Sequence, residues 1–168
     1  MSAAGARMLP DHDAMSAFRP GWNQAAEEAR NLYLTYEWMV SLWESHFDAR
    51  GVEFLLLGGD PWKALVPLAK ERVRSRGFSL EQILLVTNRY GRNHNELLLR
   101  GDAGDAIREL LACVRDRRGD LLAVTSVTED SPTGAALQAA APGAGFRVIT
   151  EPGVRSPYLI LEGDWDAY

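Results

Sequence analysis

The sequence predicts a single α/β domain, and three features carry that expectation. Residues 52–76 read VEFLLLGGDPWKALVPLAKERVRSR, two apolar runs joined by Gly58, Gly59, Asp60 and Pro61, which is the pattern of a β-hairpin. Upstream of it apolar residues recur at helical spacing, and downstream strand-like and helix-like stretches alternate. A chain of 168 residues can bury a self-sufficient core in one domain without disulfides or metals.

In chain order, residues 1–20 mix Ala, Gly, Asp, Met and Pro without periodicity. They are expected as a flexible tail or loosely attached arm, which leaves residues 21–168 as the domain. Trp22, Ala25, Ala26 and Ala29 mark a short amphipathic helix. In the more apolar helix that follows, Thr35 is the cap, Glu37 sits in the positive first turn, and Leu34 is placed to pack on Met39. Met39, Leu42, Trp43 and His46 form one stripe with Trp38 beside it, the spacing of core packing more than of a ligand pocket. His46, near the helix C-terminus, reads as a dipole partner.

In the hairpin, Val52, Phe54 and Leu56 alternate with Glu53, Leu55 and Leu57, and both sets are apolar enough for a strand covered on both faces. On the return strand Pro67 cannot donate a ladder hydrogen bond, which predicts a bulge or a locally unpaired side. A third strand is expected over 82–87 and a short one over 96–100. Ile107, Leu110, Leu111 and Val114 then give a helix with Arg115, Arg117 and Arg118 in its last turn and Gly119 at C′. Residues 121–127 read as a strand, and Ser131 and Pro132 as the N-cap and N1 of an alanine-rich helix that Pro142 ends. Residues 146–150 and 158–161 are expected as the last two strands.

Composition narrows the function classes. The formal net charge of -5 gives no global attraction to nucleic acid or to an anionic membrane, so a polyanion binder needs a local patch. Lys70, Arg72, Arg74 and Arg76 form one such row, suited to phosphate or an anionic glycan and equally to a solvated strand face. Cys113, the sole cysteine, lies in an apolar helical pattern as a small buried hydrophobe. There is no leader-like apolar region and no run of the ~20 apolar residues a membrane span requires, which points to a cytoplasmic protein.

The densest group of side chains able to bind or to transfer a proton is the polar stretch NRYGRNHNE, with Tyr90, His94 and Glu96. No second histidine or cysteine stands at ligand spacing, so a metal site is not expected.

The order of elements resembles that of the GNAT superfamily of acyl-CoA-dependent N-acyltransferases. The segments LTYEWMVSLWESHF, VPLA and SPYLILEGDWDAY resemble, in the same order, its CelD-like branch of proteins associated with cellulose and envelope polysaccharide biosynthesis. This resemblance implies a mixed, mostly antiparallel central sheet flanked by helices on both faces. It implies an activity, acyl transfer from acetyl-CoA or another acyl-CoA to an amine of a small-molecule or glycan acceptor. It also implies a tandem arrangement in which this chain is the N-terminal half, shaping the acceptor cleft beside a second half or a homodimer partner. A binding or structural role without CoA affinity is the alternative.

GNAT domains hold the cofactor diphosphate on backbone N–H groups at a helix N-terminus, in a pattern Gln or Arg, x, x, Gly, x, Gly or Ala. By resemblance the matching place is Gly101–Ala106, with Gly104 and Ala106 in the last two positions and Arg100 adjacent to Gly101, which replaces the Gln or Arg. Asp102 and Asp105 stand in the same turn and are expected to cap the free N–H groups and repel a diphosphate. Family chemistry also needs a base, for which His94 and Glu96 are the candidates, and an acid, for which Tyr158 and Tyr90 are.

Overall fold

The computed structural model describes residues 6–47, 52–59, 61–85 and 96–153. They form a mixed sheet with helices on both faces. The strands are β1 (Arg7–Leu9), β2 (Val52–Leu57), β3 (Ala64–Ser75), β4 (Phe78–Leu85), β5 (Leu98–Leu99) and β6 (Leu121–Ala123). Their order is β1-β2-β3-β4-β6, with β5 also on β3. Every pairing is antiparallel except β4 with β6.

The alternation in the hairpin explains why both faces are covered. Phe54 and Leu56 of β2 and Leu65 of β3 enter a cluster with α1 (His12–Ser16), α2 (Arg19–Glu28) and α3 (Tyr36–Leu42). Leu55, Leu57, Ala64, Val66 and Leu68 point the other way, to α4 (Ala103–Asp116) and α5 (Pro132–Ala140). Four of these helices start where a side chain caps a free donor, and α2 starts instead with Pro20 in its first turn. Thr35 accepts from the Trp38 N–H, and Ser131 accepts from the Gly134 N–H ahead of Pro132. Leu34 and Met39 are buried in one cluster, while Ile107, Leu110, Leu111 and Val114 are almost wholly buried in the other. Cys113 is buried, and burial pushes its thiol pKa up, which keeps it an inert hydrophobe.

Several expectations need correction. Residues 7–18 do not hang as an arm: Arg7–Leu9 pair with β2, Asp11 caps α1, and Met15 is fully buried. These elements are three and five residues long, too short to show a period. The left-handed position after α4 belongs to Arg118 (φ 54°), not Gly119. Gly119 is required for a different reason, since a Cβ there would lie 2.6 Å from Ile83 Cδ1. The third strand begins earlier than expected, at Phe78, and β6 ends at Ala123. Residues 146–150 are not a strand, and Val148 and Ile149 are exposed. The expected strand over 158–161 lies outside the described residues, as does the side chain of His46.

Candidate functional site

Pro67 locates the site. Along its β2 side β3 pairs without interruption, including Phe54 opposite Pro67. Along its other side β4 covers β3 as far as Leu68, opposite Leu85, and β5 covers Leu65 and Ala64. Val66 and Pro67 fall between them, with no strand partner on that side among the described residues. A residue without an N–H is tolerated at such a break. An uninterrupted β4 would bring position 89 opposite Ala64, where Leu99 now stands.

Glu96 stands two residues before β5. Its Oε2 is buried and has no hydrogen-bond partner among the described residues. A small cavity of about 10 Å³, the room of about one water, is lined by Glu96, Leu97 and Leu98 with Trp22, Leu34, Met39, Leu65 and Pro67. The Trp22 indole is spent on the Leu34 carbonyl at 2.7 Å, so it offers the carboxylate nothing. The next residue is anchored, since the Leu97 N–H donates to the buried Thr133 hydroxyl at 3.1 Å. Glu109 on α4 also has a buried, unpartnered oxygen; of the two, Glu96 lines the cavity. A buried polar oxygen without a partner is costly for stability.

At the other end of β5 the chain turns through Gly101, at φ 77°, into α4. Asp102 Oδ1 accepts from the Gly104 N–H at 2.8 Å. Asp105 is bound by Lys63 Nζ at 3.2 Å and by Arg108. The hydrogen bond from Lys63 first, then that from Arg108, holds its carboxyl below the ordinary range. The two acids are therefore not left to repel each other, because Lys63 and Arg108 neutralise one of them.

The turn as folded does not fit a diphosphate. Asp102 occupies one of the N–H groups a diphosphate would need, and Asp105 engages the nearest cations. Arg100 is committed elsewhere: its guanidinium lies 4.8 Å from the centre of the Trp62 ring, and both side chains press on Gly21 of α2. Ala106 is buried in the core.

Of the sequence-predicted residues, the structure thus brings Glu96, Arg100, Gly101, Gly104 and Ala106 to the two ends of one short strand. His94, Tyr90 and Tyr158 lie outside the described residues. Sequence reasoning missed the cavity walls Trp22, Met39 and Leu65 and the cation Lys63, although Pro67 signalled the break.

No protein-family model and no curated protein matches the chain. A crystal structure described as that of a probable acetyltransferase superposes with a TM-score of 0.56 at 12% identity, covering 94% of this chain and 99% of the other. The chain therefore shares the fold of that structure: a mixed, mostly antiparallel sheet with helices on both faces.

Proposed function

We propose that this is a GNAT-type N-acyltransferase domain that shapes the acceptor side of the reaction, with Glu96 as the base. The observation that carries the reading is the buried Oε2 of Glu96, unpartnered among the described residues, on a residue that lines the cavity together with Pro67. An ammonium reaching that point meets a negative charge in apolar surroundings, where attraction is stronger than in water. Transfer of its proton to the carboxylate, through the one water the cavity has room for, leaves the neutral and nucleophilic amine.

Acyl-CoA is the donor that the resemblance implies, and the filled turn at Gly101–Ala106 supports the reading that a second GNAT-like half or a homodimer partner binds it. The acceptor is an amine of a sugar or envelope precursor in the cytoplasm, in keeping with the likeness to the CelD-like branch. A second reading, a binding or structural domain without CoA affinity, is favoured by the same occupied turn.

Calorimetry with acetyl-CoA tests the turn. Wild-type protein is expected to bind in the millimolar range or not at all, and D102N/D105N to bind more tightly, with a gain that shrinks as salt is added. Sub-micromolar, one-to-one binding by the wild-type chain would overturn the assignment of the donor to a partner. Glu96→Gln separates the two readings: with the fold intact it slows acyl transfer in the complete assembly if Glu96 is the base, and changes nothing if the domain is structural.

A further inference from the structure

The row of cations that the acyltransferase reading leaves unused ends in a projecting ribbon. β2 covers β3 only to Ala69, and β6 covers β4 only from Gln82 to Leu84. From Lys70 to Ser75 and from Phe78 to Leu80 each strand pairs with the other alone, among the described residues. A two-residue turn closes the ribbon, with Arg76 at φ 47° and Gly77 at φ 86°, the backbone that matches strand twist and holds a hairpin tip in one shape.

Charge is distributed unevenly along it. Lys70 and Arg72 share the Glu81 carboxylate, at 3.4 and 2.8 Å. Arg74 faces Ser79, and residues 74–79 are all exposed, with two arginines and no acid. Phe78 stands among them 73% exposed. A single exposed apolar residue is ordinary. Phe78 pairs with Ser75 and Arg74 with Ser79, so the aromatic and the arginine stand on opposite faces of the ribbon's end, which together offer an apolar probe beside unneutralised cations.

We infer that this tip docks on an anionic phospholipid bilayer, with Phe78 at the boundary of headgroups and acyl chains and Arg74 and Arg76 on the headgroup charges. A stable protein interface needs about 800 Å² from each partner, more than a six-residue tip offers. Single-stranded nucleic acid calls for a groove that follows the backbone, which a projecting ribbon lacks. A bilayer asks for no shape complementarity and rewards apolar insertion combined with local positive charge. The net charge of -5 repels the rest of the molecule from such a surface and so favours approach by the tip. No described helix is long and apolar enough to cross a membrane, so the attachment is peripheral. None of this depends on the acyltransferase reading.

Co-sedimentation of the full chain with phosphatidylcholine vesicles, with and without phosphatidylserine, tests the inference. Wild-type protein is expected to pellet with the phosphatidylserine vesicles alone and to be released by salt. R74Q/R76Q lowers the partition about thirtyfold, and Phe78→Ser about tenfold; all these side chains are exposed, so circular dichroism should match wild type. No binding to phosphatidylserine vesicles, or variants that bind as wild type does, would overturn it. So would single-stranded RNA binding that exceeds vesicle binding and is lost in the same variants.

Discussion

Glu96 leads into β5, and Asp102 and Asp105 follow it, yet the acids at the two ends of this two-residue strand are treated in opposite ways. Asp102 takes the Gly104 N–H and Asp105 takes Lys63 and Arg108, all near the surface, so these carboxylates are satisfied and stabilise the start of α4. Glu96 keeps an oxygen in an apolar wall with nothing described to bind it. Charge that is fully satisfied is structural, whereas charge held without a partner at a cost to stability is available for chemistry.

The contrast can be strained first at the Glu96 end. Trp22 is fully buried, meets Tyr36 edge-on at 5.3 Å and walls the cavity, so Trp22→Ala should cost about 3–5 kcal/mol in urea unfolding. A loss below about 1 kcal/mol would mean that the wall around Glu96 is not tightly packed. At the other end Asp102→Ala removes a helix cap and should cost about 1 kcal/mol, with Asp102→Asn retaining most of it.

The smallest effect belongs to Asp105. Its folded pKa lies below the ordinary 3.8, so its contribution is complete above the unfolded value and disappears as pH falls through the folded one. Asp105→Asn should therefore be slightly less stable than wild type at neutral pH and converge with it as pH falls through the folded value, which flattens the acid limb of the stability curve. Because the pair is exposed, high salt should blunt the difference between the two proteins.

Much of the scaffold was legible in the residues. Thr35 and Ser131 announce helix starts through side chains that act within three residues, and the Ile107 stripe carries its own period. The alternation in β2 correctly implied cover on both faces, and Pro67 correctly implied an unpaired side. Residues 7–18 were illegible because Met15 is buried by distant partners and not by a repeating pattern. Residues 146–150 have strand composition, but composition does not supply an edge to pair with. The candidate site was half visible: Glu96 was named for its chemistry, while its isolation depends on Trp22, Met39 and Pro67, which only the fold brings to it. Lys63 was likewise hidden, 42 residues from the acid it neutralises.

The most direct test of the contrast between an unpartnered acid and satisfied ones is the urea-unfolding free energy of Glu96→Met. The substitution keeps the length of the side chain and removes the unpartnered charge, so the variant should be more stable than wild type by about 1 kcal/mol. A variant less stable than wild type would show that the Glu96 carboxylate is satisfied in the folded protein, and the account of this site would be wrong.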